Sequence, residues 1–378
     1  DTQSANGAIA EDIISSNAVP SFSNSAMDGY CLNSKLTNNA SAENPVELPI
    51  KGTIFAGDEP PSNIKDSEAY EIMTGSKMPD ELDTVLPVEK GELIEKEGSM
   101  FLVLNEPIKK DLNIRKSGED FKKDELILSK GALINDHRKI ALVMNHKKTI
   151  RVFKNPGIGI LTTGNELDGT SPASVPNSNG PFLESSVQSM GLECLKNLHA
   201  GDDINQIIDQ IQEIKNSGAN LILTSGGVSA GKADFIPAAL TQMGAEILFH
   251  KLWIRPGKPV LMAKFPDGQI VFGLPGNPVS VAVGFRFLAA QAIRISQGRA
   301  LEKPIASKNS INYKKSEKFC LFAKAIARVD EYGQIHTEVM SGQESFKVKP
   351  FRDANCWAMI PEGIETIKKG ETISIYPL

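Results

Sequence analysis

The pattern of hydrophobic and polar positions changes its period along the chain. Between residues 46 and about 128, short apolar runs are broken by glycine and proline, which predicts a small β-rich domain. From 156 to about 298, apolar runs alternate with segments of helical spacing, which predicts a largely parallel, doubly wound α/β layer. Beyond 303 the β-like alternation returns and predicts a separate small β domain. The predicted domains are residues 1–154 with a β-rich insert at about 27–120, 155–298, and 303–378.

Two helices are predicted before the central layer. The segment Gly7-Ala-Ile-Ala-Glu-Asp-Ile-Ile14 resembles the end of a helix already under way, so we expect that the natural N-terminus precedes Asp1. Residues 133–152 have the spacing of a short helix followed by a strand at 149–152.

The central strand of the α/β layer leads into a glycine-rich turn. Leu221, Ile222 and Leu223 form an apolar run typical of a parallel sheet, and residues 224–231 then supply three glycines and three hydroxyls. Since glycine lacks a Cβ, backbone N–H groups can approach an anion closely, and a helix beginning near 233 would add its dipole. We therefore expect a phosphate cradle made of Ser225, Gly226, Gly227, Ser229 and Gly231, although such a turn is also common without any ligand.

Two later loops follow strands of the same layer. The first is Arg255-Pro-Gly-Lys-Pro259, which supplies two cations. The second is Gly273-Leu-Pro-Gly-Asn-Pro-Val-Ser280, where Asn277 is the predicted N-cap of a helix and Pro278 its first residue. Because ligands of doubly wound sheets bind at the carboxyl ends of the strands, the three loops predict one site. The residues of these two loops that we predict to bind substrate or phosphate are Arg255, Lys258, Pro259, Pro275, Gly276, Asn277, Pro278 and Ser280.

Composition narrows the class of protein. The 378 residues carry 41 basic and 46 acidic side chains without a basic block, so we expect no nucleic-acid partner. The four cysteines and five histidines lack the spacing of a zinc site, and the cysteines lack that of a disulfide framework. We find no apolar run of membrane-span length and no signal peptide, and therefore expect a cytoplasmic protein without a membrane partner.

Carboxylates at the predicted loops suggest the chemistry. Oxygen ligands near phosphate commonly hold magnesium, and no Ser-His-Asp set or cysteine-histidine pair favours side-chain nucleophilic catalysis. Metal-assisted phosphate chemistry is therefore the better hypothesis, with Lys258 and Arg255 balancing the anions. The candidate acids, metal ligands and hydroxyl are Asp28, Thr74, Asp120, Glu166, Asp202, Asp203 and Asp234.

Eight motifs in register resemble one family, that of molybdopterin molybdotransferase (MoeA and the gephyrin E-domain). The matching motifs are spread, in order, over nearly the whole chain. The motifs are Asn24-Ser-Ala-Met-Asp-Gly-Tyr30, Met73-Thr-Gly-Ser76, Asp83-Thr-Val85, Asn113-Ile-Arg115 with Gly118-Glu-Asp120, Thr163-Gly-Asn-Glu-Leu167, Ser225-Gly-Gly-Val-Ser229, Pro256-Gly-Lys-Pro259 and Gly273-Leu-Pro-Gly-Asn-Pro278.

The resemblance implies a MogA-like central domain, a barrel-like C-terminal domain and insertion of molybdate into adenylylated molybdopterin, with release of AMP and help from Mg²⁺. It implies a homodimer whose active site lies at the subunit interface, with the Asp28 loop of one subunit facing the glycine-rich crevice of the other. A molybdopterin adenylyltransferase would donate the substrate. By position, Asp28, Thr74, Asp120, Glu166, Asp203 and Asp234 match the family's functional acids and hydroxyl, with Glu166, Asp203 and Asp234 as metal ligands. Lys258, Pro259 and Ser280 match the part that receives molybdate and phosphate.

The chain departs from the family pattern at several positions. Asn165, Asn177 and Lys232 stand where the family usually has acids, and Arg255 stands where it has lysine. The changes shift the predicted site toward positive charge. Two alternatives therefore stay open: a molybdopterin adenylyltransferase, which uses a domain similar to residues 156–298, and a non-catalytic dimeric scaffold that binds molybdopterin.

Overall fold

The computed structural model describes residues 1–2, 7–167, 169, 172–229 and 235–378. The chain divides into two compact units, Asp1–Val152 and Phe153–Leu378. All four cysteines are unpaired, and burial raises the pKa of the Cys31 thiol to about 12. The finer domain boundaries expected from the sequence stay a prediction.

The first unit is built mainly of β-strands, as the sequence predicts. Six of them form one sheet in the order β6-β3-β5-β4-β8-β7. Alternate residues of β3 enter different cores, because Tyr30 and Leu32 pack in one hydrophobic cluster and Cys31 in the other. The elements are β1 (Ile13–Ile14), β2 (Asn24–Ser25), β3 (Gly29–Leu32), β4 (Val46–Ile54), β5 (Ala69–Ile72), β6 (Thr84–Pro87), β7 (Glu92–Lys96), β8 (Ser99–Leu104), β9 (Ile114–Arg115), β10 (Leu126–Leu128) and α1 (Asp136–Met144), with 3₁₀ turns at Ser34–Thr37 and Val88–Lys90.

The predicted helix end at Gly7–Ile14 is wrong. Ala8 and Ile9 instead form single β-bridges with Leu133 and Val152, and β1 pairs with β10. Ile9 N donates to the Ala132 carbonyl at 2.9 Å. The β-branched Ile9 and Ile13 are buried by this pairing, which outweighs the local helical spacing.

The central sheet of the second unit has the order β12-β11-β13-β17-β16-β14. Its first four strands are parallel, whereas β16 and β14 run antiparallel. Helices α3 and α4 cover one face, and α2, α5 and α6 cover the other, so the sheet is doubly wound. The elements are β11 (Ile158–Thr163), α2 (Asn179–Ser189), β12 (Cys194–Ala200), α3 (Ile204–Asn216), β13 (Leu221–Ser225), α4 (Ile236–Gln242), β14 (Glu246–His250), β15 (Ile254–Arg255), β16 (Leu261–Lys264), β17 (Ile270–Leu274), α5 (Pro278–Gly284) and α6 (Ala290–Ser296), with a 3₁₀ turn at Asn165–Leu167.

A π-helical turn, Phe285–Ala289, joins α5 to α6, so one helix runs from Pro278 to Ser296. The expectation that no apolar run reaches membrane-span length is wrong for this helix, whose mean hydropathy is 1.3. Its apolar residues, among them Val281, Phe285 and Ile293, pack in the core beside the central sheet. Of its most apolar 18-residue window, 56% is buried in the protein, as expected of a core helix.

The C-terminal strands close into a small barrel, because β22 pairs with β20 as well as with β24. The strand β15, which belongs to the central part of the sequence, joins this sheet beside β20. The Arg255 loop is thus held by the β domain as well as by the α/β layer. The elements are β18 (Ile305–Asn309), β19 (Tyr313–Lys314), β20 (Cys320–Val329), β21 (Ile335–Val339), α7 (Val348–Asp353), β22 (Cys356–Ile360), β23 (Thr366–Ile367) and β24 (Thr372–Pro377).

Candidate functional site

Three neighbouring parallel strands end at the same level of the central sheet. Thr162 of β11 is opposite Ser225 of β13, and Ser225 is opposite Leu274 of β17. The three predicted loops therefore leave one edge of the sheet side by side, where doubly wound proteins bind their ligands.

The glycines of the β13 loop allow these strand ends to approach closely. Gly226 has φ +95°, and a Cβ built on it would lie 2.6 Å from the Thr163 carbonyl oxygen. Its N–H donates to the Leu274 carbonyl at 3.1 Å, so it is not directed at an anion as the sequence suggested. Gly227, at φ +63°, accepts a hydrogen bond from Ile236 N at the start of α4. These glycines therefore join β11, β13 and β17, and an N–H cradle in this loop would have to be built without the Gly226 N–H.

Asn179, which sequence reasoning missed, connects two of the loops. Its buried side chain donates from Nδ2 to Ser225 Oγ at 2.8 Å and to the Gly276 carbonyl at 2.7 Å. Its position beside a helix start in the Asn177-Ser-Asn179 stretch was the available signal. Asn177 itself donates to Thr162 Oγ1 at 2.9 Å and accepts from Gly180 N. The amide at 177 thus has a structural role at the sheet edge.

A cleft of about 470 Å³ opens over these strand ends, and we call it the strand-end cleft. Glu166 lies beside Gly164, where a Cβ would come within 2.4 Å of its carboxylate. Glycine at 164, with φ +131°, therefore makes room for the acid. The cleft is lined by Thr163, Glu166, Leu167, Val175, Pro176, Ser178, Asn179, Ser225, Gly276, Asn277 and Pro278.

Asp203 has a structural role that competes with metal binding. It is the N-cap of α3, and its Oδ1 accepts hydrogen bonds from Asn205 N and Gln206 N, both at 2.9 Å. The preceding Asp202 is tied to the Glu166 loop, because it accepts from Asn165 N and its own N–H donates to Asn165 Oδ1. The loops after β11 and β12 are thereby fixed to one another.

The predicted metal set cannot be assembled from the residues described. Among the residues with described placement, no three His, Cys, Asp or Glu side chains are grouped so that they could hold a metal. Of the expected ligands, Glu166 and Asp203 are described, whereas Asp234 lies outside the described residues, as do Gly231 and Lys232.

A second cleft, of about 390 Å³, carries the two predicted cations, and we call it the lysine cleft. Lys258 is exposed there, whereas Ser280 is only 4% exposed. The two clefts share Asn277. The lysine cleft is lined by Ile254, Arg255, Pro256, Gly257, Lys258, Pro259, Pro275, Asn277, Ser280, Phe319, Gln343, Glu344, Ser345 and Phe346.

The helix start at the lysine cleft is partly satisfied from within the protein. Asn277 is the N-cap residue of α5, as predicted, but its side chain makes no capping bond and donates to Ser345 Oγ at 3.0 Å. Val279 N, in the first turn, donates to the Ser345 carbonyl at 3.1 Å. Ser345 therefore already uses one of the N–H groups that this helix terminus could have offered to an anion.

The loop that carries Ser345 is held by a buried lysine that the sequence did not reveal. Lys324, only 1% exposed, donates from Nζ to the carbonyls of Gly342, Glu344 and Lys347 at 2.7–3.2 Å. Burial lowers the pKa of its ammonium group. This lysine fixes one wall of the lysine cleft, although its own charge is enclosed by carbonyl groups.

The predicted acids of the first unit lie on loops that are bonded together. Asp28 Oδ1 accepts from both Thr74 N and Thr74 Oγ1 at 2.7 Å, and these two bonds hold the pKa of Asp28 below its usual value. Asp120 N donates to the Val19 carbonyl, which joins its loop to the segment before β2. The structure brings Asp28 and Thr74 into direct contact; Asp120, like them, is exposed.

Three family models match the chain. They are the MoeA N-terminal region (domain I and II) at residues 1–145, the "Probable molybdopterin binding domain" at 159–295 and the MoeA C-terminal region (domain IV) at 307–378. A molybdopterin molybdenumtransferase of Staphylococcus aureus is 32% identical over 99% of this chain and 89% of its own length. That of Synechococcus elongatus is 30% identical over 98% and 91%. The crystal structure of a molybdopterin biosynthesis MoeA protein from Pyrococcus horikosii superposes with a TM-score of 0.82 at 26% identity, covering 100% of this chain and 93% of that one.

Proposed function

Since this chain belongs to the MoeA family, we propose that it is a molybdopterin molybdenumtransferase. The reaction proposed is insertion of molybdate into adenylylated molybdopterin, which yields molybdenum cofactor and AMP. Relatives that match nearly the whole chain carry the name of this activity.

The observation that carries the proposal is the pair of clefts that share Asn277. The strand-end cleft offers strand-end hydroxyls and one carboxylate, and the lysine cleft offers two cations and the buried Ser280. A large anionic substrate that reacts with a small tetrahedral dianion requires two such adjoining subsites. Lys258 and Arg255 would neutralise molybdate, and the hydroxyl of Ser280 is a further donor on that wall.

A magnesium ion would fit the chemistry of the predicted acids. Carboxylate oxygens are the ligands that Mg²⁺ prefers, and Glu166 together with Asp203 and Asp234 would supply them. Asp203 keeps only Oδ2 clear of its two capping bonds, so it would bind through a single oxygen. When bound, the ion would neutralise negative charge on the phosphate oxygens of the substrate. The residues of this chain position that substrate.

Asp28 supports a further part of the proposal. Its carboxylate is exposed and is held in place by Thr74, and its lowered pKa keeps it ionised, so it is available to a ligand. Following the family resemblance, we propose a homodimer in which the Asp28 loop completes the site of the partner subunit. A molybdopterin adenylyltransferase would supply the substrate, and the cytoplasm would be the location.

One experiment separates the proposed function from the two alternatives, an adenylyltransferase and a non-catalytic scaffold. Purified protein is incubated either with molybdopterin and ATP or with adenylylated molybdopterin, and the nucleotides are separated by chromatography. The proposed transferase releases AMP from the second substrate and makes no adenylylated product from the first. Adenylylation of molybdopterin by the pure chain would establish the adenylyltransferase instead. Tight binding of the second substrate without AMP release, under all molybdate and magnesium conditions, would leave the scaffold.

A further inference from the structure

The ammonium group of Lys258 is held by aromatic rings. Its Nζ lies 4.6 Å from the centroid of the Trp253 ring and 5.8 Å from that of Phe319. Both distances are within the range of cation–π attraction. The two rings are themselves in contact, with centroids 5.3 Å apart and planes inclined by 45°.

The position of these rings follows from the strand that joins the two parts of the second unit. Trp253 precedes β15, and its carbonyl accepts a hydrogen bond from Cys320 N at 3.0 Å, directly after Phe319. Pairing of β15 with β20 therefore places the two rings together. Phe319 lines the lysine cleft, so the aromatic pair adjoins the place where Lys258 enters it.

The Trp253 side chain is not part of the hydrophobic core. It is 58% exposed, whereas the other tryptophan of the chain, Trp357, is 1% exposed in the core. A ring that is largely exposed gains only part of the hydrophobic stabilisation that a buried ring would provide. Its ring contacts Phe319 and the ammonium group of Lys258.

An aromatic support differs from a carboxylate support in its effect on charge. In the described part of the chain, no carboxylate lies within 4 Å of Lys258 Nζ; the nearby Glu344 pairs with Lys347. A carboxylate would neutralise the ammonium group and compete with an incoming anion. Ring faces attract the cation but leave its full charge and its N–H donors available to that anion.

We propose that Trp253 and Phe319 are positioning residues for Lys258, which hold its ammonium group extended and uncompensated for a tetrahedral oxyanion. The inference rests on the proposed function for the identity of that anion, molybdate. It assigns a binding role to residues outside the motifs of the family resemblance. Loss of the rings should leave Lys258 charged but free to sample other rotamers, so anion affinity should fall without being abolished.

Molybdate affinity is the test, measured by equilibrium dialysis with molybdate alone and no pterin. For Trp253→Ala we expect the dissociation constant to rise by about two- to fivefold, the amount that an exposed cation–π contact supplies. Trp253→Phe keeps a ring face and should stay within about twofold of the wild type. Lys258→Ala is the reference for complete loss, and Tyr332→Ala, which removes a ring that is 88% exposed elsewhere, is the matched control.

A second readout separates positioning from a general structural effect. Because Trp357 is buried, a change in tryptophan emission on adding molybdate would report on the exposed Trp253, since the anion would bind to the ammonium group that lies over its ring. The change should be absent in Lys258→Ala. Unchanged molybdate affinity in Trp253→Ala would overturn the proposal, and so would wild-type protein that binds no molybdate.

Failure of the inference and failure of the proposed function give different results. If wild-type protein releases AMP and forms cofactor while Trp253→Ala binds molybdate normally, the function stands and the positioning role is wrong. If molybdate binding depends on Trp253 but no AMP is released, the positioning role stands and the transferase is wrong.

Discussion

Replacing Gly226 by alanine tests whether the strand ends are joined as the structure shows. The site needs glycine for two reasons: its φ is +95°, and a Cβ would lie 2.6 Å from the Thr163 carbonyl oxygen and 2.7 Å from Thr163 Oγ1. The left-handed backbone alone costs an alanine about 1–2 kcal/mol. The carbonyl belongs to β11, which is paired on both sides and cannot move away cheaply, so overpacking adds about 1–3 kcal/mol.

Gly244→Ala is the matched control because it separates these two costs. Gly244 has φ +82°, and a Cβ at this position would meet no atom within 4 Å, so the variant carries the backbone cost alone. We expect Gly226→Ala to be less stable than Gly244→Ala by about 1–3 kcal/mol. Urea unfolding followed by tryptophan fluorescence measures the difference, since Trp253 and Trp357 both report on the second unit. Equal stability of the two variants would refute the close approach of β11 and β13 at this edge.

Three further substitutions test single contacts. Asp203→Asn should keep the α3 cap but lose magnesium-dependent AMP release. Asp203→Ala should lose this activity and also about 1 kcal/mol of unfolding free energy. Full activity of the asparagine variant would assign Asp203 to capping alone. Thr74→Val should raise the pKa of Asp28 in an NMR titration, whereas Thr74→Ser should not. The lowered pKa stabilises the fold above pH 3.8, and this stabilisation is lost as the pH falls through the lowered pKa, so it should be smaller in the valine variant. An unchanged pKa in the valine variant would exclude the hydroxyl as a cause. Lys324→Met leaves three carbonyls without their donor and should cost about 1–3 kcal/mol in the same urea assay; wild-type stability would show that the ammonium group does not hold the loop.

The sequence predicted those parts of the fold that local patterns determine. The doubly wound layer follows from apolar strands that alternate with helical spacing, and α3 begins and ends close to its isoleucine pattern. The β-rich flanking parts follow from alternation broken by glycine and proline. The helix at Gly7–Ile14 was wrong because β-bridges to residues 133 and 152, distant in sequence, decide its backbone.

The candidate site was predicted in outline because strand ends of one sheet must meet. What the sequence could not give is which partner each polar group takes. Asn179 and Lys324 act through backbone carbonyls of distant loops, and such bonds leave no spacing signal. For the same reason, only the structure shows that the N–H groups of Gly226 and Val279 are bonded to carbonyls and are therefore not available to an anion. The roles of Asp28, Glu166 and Asp203 stay predictions.

The most direct test of the proposed function is the dependence of AMP release on molybdate. Purified protein is given adenylylated molybdopterin and magnesium, with and without molybdate, and released AMP is measured together with cofactor able to activate an apo-molybdoenzyme. The proposed transferase should release AMP and form active cofactor together, and only when molybdate is present. It should lose both with Lys258→Ala. AMP release that ignores molybdate, or tight substrate binding with no release, would contradict it.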